Sequence, residues 1–155
     1  MKTNEKKKEV TNVDMVVKGI ALYPKEEDGL FTMKLLVDDE TLEEIENKIV
    51  DLDGQLTTSD NEYQDKEYVG FNVKTVFDVP IYDKTGKDMR EEEDYPIYYG
   101  AKVLVRIRFK TGTYKRKSYV AGYMTGAVVL EQGENQQGCT FDNFKEALEN
   151  EDIQF

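Results

Sequence analysis

Histidine is absent from all 155 residues. That removes Ser–His and Cys–His nucleophile activation, histidine-ligated zinc and the usual general base near neutrality. Tryptophan is absent too, and Cys139 is the sole cysteine. One thiol cannot form an internal disulfide, which fits a reducing cytoplasm, the expected location. No apolar run approaches the length of about eighteen residues that a membrane helix needs, so no membrane role is expected. The first residues, MKTNEKKKEV, carry lysines with no apolar stretch behind them, unlike a secretory signal. No GxxxxGK[ST], GxGxxG or GxSxG pattern occurs, so neither a nucleotide cofactor nor a nucleophile elbow is expected.

What the chain does have is tyrosine and charge. Ten tyrosines and seven phenylalanines accompany 21 basic and 32 acidic residues, for a net charge of -11. As a single number, -11 argues against a polyanionic ligand. The distribution argues otherwise. From Ala101 to Gly126 there is no acid, but Lys102, Arg106, Arg108, Lys110, Lys115, Arg116 and Lys117 all fall there. Salt screens charges beyond roughly 8 Å, so this stripe acts on what touches it. Acids gather at Asp38-Asp39-Glu40, at Glu91-Glu92-Glu93-Asp94 and in the last residues.

A mainly β domain is expected over residues 1–140, with 1–10 a polar lead-in and 141–155 a flexible acidic tail. Strands are read at Val13–Tyr23 and Leu30–Val37, separated by a turn at Pro24–Gly29. Glu40–Val50 changes period: Leu42, Ile45 and Ile49 mark the apolar face of one amphipathic helix. Asp51–Asp65 reads as a polar loop, Tyr68–Tyr82 as strand with Pro80 at an edge or bend, and Asp83–Lys87 as a turn. Lys102–Lys110 shows clean period two, with Val103, Val105, Ile107 and Phe109 on one face. Thr111-Gly112-Thr113 then reads as a hairpin connection, and Tyr114–Met124 and Ala127–Gln132 as further strands, with Gly122 and Gly126 at bulges or bends. Strands of this number, one internal helix and no βαβ spacing point to a small curved antiparallel barrel, OB-like.

The hairpin of Lys102–Lys110 and Tyr114–Met124 presents a cationic outer face. Tyr98, Tyr99, Tyr114 and Tyr119 lie among or beside those cations. Cations that neutralise phosphates, interleaved with rings on which bases stack, suit single-stranded nucleic acid, each stack contributing roughly 1–3 kcal/mol. The competing reading is a solvated outer strand. A merely solvated face usually mixes charge signs, and this segment does not.

The chain closes on Glu149-Asn150-Glu151-Asp152-Ile153-Gln154-Phe155. A solubilising tail gains nothing from a terminal Phe, whereas a docking peptide uses it to fill a pocket rimmed by cations. This ending resembles the acidic tip of bacterial single-stranded-DNA-binding proteins. Together with PIYDKTGKDM, YYGAKVLVRIRF and GAVVLEQ, it also resembles the phage-encoded group of such proteins, over about residues 68–155. The resemblance implies an OB-fold coating exposed strands in phage DNA replication, recombination and repair, in the host cytoplasm. It further implies that Lys102, Arg106, Arg108 and Lys110 contact phosphates. Phe155 and Ile153 would anchor a replication protein (polymerase, primase or helicase), steered by Glu149, Glu151 and Asp152. The sequence leaves a homodimer open.

Two other classes compete. A metal-dependent nuclease would need the carboxylate clusters, but adjacent acids point in different directions, and two-metal sites draw ligands from separate elements. An acidic adaptor or inhibitor, a DNA mimic bound to a basic protein, would show no affinity for oligonucleotides.

Overall fold

Alternation along Lys102–Tyr114 puts Val103, Val105, Ile107 and Phe109 on one side, and all four are fully buried. In the computed structural model, which describes residues 11–27, 30–75, 79–91 and 96–133, this segment is one of eight strands. They are β1 (Asn12–Glu27), β2 (Leu30–Val37), β3 (Gln55–Leu56), β4 (Ser59–Tyr63), β5 (Lys66–Lys74), β6 (Ile81–Asp83), β7 (Lys102–Tyr114) and β8 (Lys117–Glu131). Helix α1 (Asp39–Lys48) lies between β2 and β3, and Met89–Glu91 form a single 3-10 turn.

Five strands make a closed ring. β1 pairs antiparallel with β2, β2 with β5, β1 with β7, and β7 with β8. A short parallel contact, Val73 with Gly122 and Lys74 with Tyr123, joins β5 to β8 and closes the circuit. One register row circles the surface: Lys25, Thr32, Lys74, Tyr123, Arg108, Asp14. It leaves β1 at Lys25 and returns to the same strand eleven residues earlier, the stagger that tilted strands need in order to close. This strand order, a three-stranded meander and a returning hairpin, is that of the OB barrel expected from the sequence. β4 extends β5, while β3 and β6 add parallel to β8. Inside, the Phe71 and Phe109 rings meet at 6.0 Å, and burying each large apolar side chain stabilises by about 1.5–3 kcal/mol.

The helix forms as its sequence dictates. The Asp38 carboxylate accepts from the Thr41 N–H at 2.8 Å, Asp39 and Glu40 sit in the first turn, and Lys48 in the last. The acidic trio is thus a helix start. Ile45 and Ile49 are buried and Leu42 is partly so. Among the described residues no three His, Cys, Asp or Glu side chains cluster as metal ligands, and no described helix is long and apolar enough to cross a membrane.

Several boundaries differ from expectation. β1 does not stop at Pro24 but absorbs it in a register shift between Leu22 and Lys25. The segment read as loop, 51–65, contains β3 and β4. Ser59–Tyr63 is polar because an edge strand with one neighbour needs no apolar face. Tyr68–Tyr82 is two strands rather than one, with Pro80 ahead of β6. Thr111-Gly112-Thr113 is not a turn: β7 continues to Tyr114, and the turn is Lys115-Arg116, both at positive φ (50° and 68°). Gly112 was legible as punctuation, but it sits in strand because the Tyr119 ring covers it, 2.5 Å from where a Cβ would be. β8 is one strand, with Thr125 as the extra residue of a bulge beside Gly126. Gly122, by contrast, is in regular register opposite Phe109. The lead-in 1–10 and the tail 141–155, with Glu149, Glu151, Asp152, Ile153 and Phe155, lie outside the described residues.

Candidate nucleic-acid interface

Period two along β2 and β5 turns Thr32, Lys34, Asn72 and Lys74 outward while Phe31, Met33, Phe71 and Val73 fill the core. Beside them runs an open groove of about 610 Å³. Tyr23 and Lys25 of β1 form one bank, Tyr119 and Ala121 of β8 the other, and Leu56 and Thr57 close one end. In OB barrels the face of the second and third strands, with the first-to-second and fourth-to-fifth loops, takes oligonucleotides. Here those strands are β2 and β5, and the loops are the β1–β2 and β7–β8 connections.

Four of the groove side chains are held by identifiable contacts or backbone geometry. Lys34 Nζ donates to Asn61 Oδ1 at 3.3 Å, and Asn61 is oriented by donating from Nδ2 to the Ser59 carbonyl and hydroxyl, each at 3.0 Å. Lys74 Nζ lies 5.3 Å from the Tyr123 ring centroid, a cation–π contact. Tyr119 rests on Gly112, and its backbone is backed by Gly54, which has φ +97° and no room for a Cβ (2.6 Å). Tyr23 has φ 52° at the β1 bulge and is 64% exposed. A left-handed conformation costs a bulky residue about 1–2 kcal/mol. The bulge turns this ring over the groove, with Tyr99 behind it at 5.6 Å and Tyr63 beyond at 6.1 Å.

The cationic stripe read from the sequence divides in four. Arg106 and Arg108 face Asp14 of β1. Arg108 donates from Nε to Oδ1 at 2.7 Å and from Nη2 to Oδ2 at 3.0 Å, while Arg106 Nη2 reaches Oδ2 at 3.1 Å. Arg106 also donates from Nη1 to the Thr125 hydroxyl at 3.0 Å. The Arg108 hydrogen bonds, with the charge of both arginines, hold the Asp14 carboxyl below its ordinary pKa against the opposing effect of burial. The missing counter-charge therefore comes from another strand, 92 residues before Arg106. Lys102 pairs loosely with Glu131 at 3.7 Å. Lys110 is in register with Ala121 on the groove bank. Lys115, Arg116 and Lys117 gather at the hairpin tip, where Lys115 Nζ lies 5.4 Å from the Tyr114 ring. Tyr98 lies on the segment entering β7, its N–H donating to Gln132 Oε1 at 3.2 Å. Thus Tyr119 lines the groove, Lys110 lies one strand beyond its Ala121 bank, Tyr99 supports Tyr23, and Arg106 and Arg108 occupy the adjoining face.

Sequence reasoning missed Tyr23, Lys25, Lys34 and Lys74, whereas Tyr123 flanks the cationic hairpin in the sequence itself. The signal was present but dispersed. Thr32 with Lys34, and Asn72 with Lys74, are polar positions alternating with core residues, and they meet only once β2 and β5 are paired.

Fold and groove define the molecule as an OB barrel with a cationic, ring-lined cleft in the oligonucleotide position. No protein-family model matches the chain, nor does any curated protein sequence. Among solved structures it is similar to gp2.5, a single-stranded DNA binding protein encoded by bacteriophage T7. The match has 14% identity, covers 93% of this chain and 96% of that one, and has a TM-score of 0.61. It is also similar to the single-stranded DNA-binding protein of bacteriophage Enc34, at 12% identity, 88% and 90% coverage and a TM-score of 0.63. The same Enc34 protein in complex with ssDNA matches at 14% identity, 79% and 89% coverage and 0.61. At such identities the likeness is one of fold: the chain has the fold of these phage proteins, as the resemblance in residues 68–155 implied.

Proposed function

We propose that this chain is a non-enzymatic, sequence-tolerant binder of single-stranded DNA that coats exposed strands in phage DNA replication, recombination and repair. The observation that carries this reading is the groove itself. Lys25, Lys34 and Lys74 stand among Tyr23 and Tyr119, with the Tyr123 ring beside Lys74, on the barrel face that OB folds use. Phosphates pair with the ammonium groups, and bases lie on the rings, which accept any base. Lys110 extends the positive bank, and the Lys115-Arg116-Lys117 tip stands beyond it. The tail residues Glu149, Glu151, Asp152, Ile153 and Phe155 serve to recruit a replication protein, a role supported by their composition and by the resemblance.

Titration of dT oligomers against duplex of equal length, over a salt series, tests the proposal. With roughly 4–6 phosphates neutralised, log K should fall with log salt at a slope of about -3 to -4. A clear preference for dT is expected. No affinity for any oligonucleotide would favour instead the acidic-adaptor reading, in which a basic protein is the partner.

A further inference from the structure

The β7–β8 hairpin extends past the last pairings that close the five-stranded ring. Among the described residues β1 last pairs with β7 at Asn12–Lys110, and β5 meets β8 at Gly122 and Tyr123. Among the described residues Thr111–Tyr114 and the strand opposite therefore extend past the ring as a two-stranded ribbon, flanked at its root by Asp53, Gly54 and two-residue β3. At about 3.4 Å per residue the ribbon extends roughly 14 Å. Its root is fixed by the Thr111 hydroxyl donating to the Asp53 carbonyl at 2.8 Å and by the Tyr119 ring on Gly112.

The tip is built against local preference. A two-residue turn with both φ values positive is made most easily by Asn-Gly, yet Lys115 and Arg116 occupy it. Beside them Tyr114 is 66% exposed. Among the described residues Arg116 and Lys117 have no ion-pair partner, and Lys115 touches only the Tyr114 ring. One flat ring thus stands with three cations. A single strand offers one phosphate for each base stacked. A duplex end offers one base-pair face with phosphates of both strands, at one charge per about 1.7 Å of axis instead of about 3.4 Å. The three cations around one ring at the tip are closer to the two phosphates per base-pair face of a duplex end than to the one phosphate per base of a single strand.

We propose that the Tyr114–Lys117 tip recognises the junction where single strand becomes duplex, with Tyr114 stacked on the terminal base pair and Lys115, Arg116 and Lys117 on the phosphates of both strands. The assignment rests on the reading of the groove as a single-strand site, which delivers the strand to the tip. The test uses the full chain and three probes: a dT tail of an OB-type site size (about 4–16 nucleotides), the same tail on a hairpin duplex, and the blunt hairpin. The wild type should bind the tailed duplex about fivefold or more tightly than the tail alone, the lower end of one stacking contact. Tyr114→Ala should lose that preference, its affinity falling several-fold more on the tailed duplex than on dT alone, and Tyr114→Phe should retain both affinities. Equal binding of tail and tailed duplex by the wild type overturns the proposal. So does equal loss on both probes in Tyr114→Ala, which would make the tip part of the single-strand site, and so does equally tight binding of the blunt hairpin. Binding of no probe overturns the groove reading as well, and so separates the two failures.

Discussion

Asp14 of β1 grips Arg108 of β7 through two hydrogen bonds, at 2.7 and 3.0 Å, and shares its second oxygen with Arg106. The strongest cations of the stripe thus carry their own counter-ion. The groove cations Lys34 and Lys74 touch only a neutral amide and a ring.

Lys74→Ala should therefore weaken dT binding and lower the magnitude of the salt slope by about 0.7, the loss of one phosphate contact. Arg108→Ala should leave the slope nearly unchanged. Titrations of both variants at several salt concentrations check this ordering.

The same pair sets an acid sensitivity. The folded-state pKa of Asp14 lies below its ordinary value, so the stability it contributes is present above the unfolded value of about 3.9 and lost as pH falls through the folded one. Asp38, lowered by the Thr41 N–H, behaves alike. Urea midpoints followed from pH 6 into acid, a range chosen to span the carboxylate values, should fall less steeply for Asp14→Asn than for the wild type. Parallel curves would show that the contact adds nothing to stability.

Tyr119 can stack a base only while Gly112 leaves its ring a seat. Gly112→Ala brings a Cβ within 2.5 Å of the Tyr119 ring and should displace it. The expected result is a dT affinity loss close to that of Tyr119→Ala, about 1–3 kcal/mol, with Tyr119→Phe close to wild type. Retained affinity in Gly112→Ala would remove Tyr119 from the site.

Deleting Glu149–Phe155 should leave dT affinity equal or raise it, because a competing polyanionic segment is removed. Reduced affinity would reassign the tail to the DNA site or to folding. Parallel titration of both chains decides.

Much of the barrel was legible because alternation is a local signal. Val103 to Phe109, Leu30 to Val37 and the Leu42, Ile45, Ile49 face each lie within one short segment. Gly112 misled because a glycine in strand and a glycine in turn look alike until the ring that covers it is placed. The charge stripe was legible as a run, but its neutralisation by Asp14 was not, since register across strands brings distant residues together. For the same reason the groove was hidden: Tyr23, Lys34, Lys74 and Tyr119 come from four strands. Only Tyr119 stood near the cationic run.

The most direct measurement is photo-crosslinking of a dT oligomer to the full chain, followed by mapping of the modified residues. Adducts are expected at Tyr23 and Tyr119, on the two banks of the cleft, and at Tyr123, beside the groove cation Lys74. Adducts confined to the strands around Arg106 and Arg108, with those three tyrosines unmodified, would contradict the account.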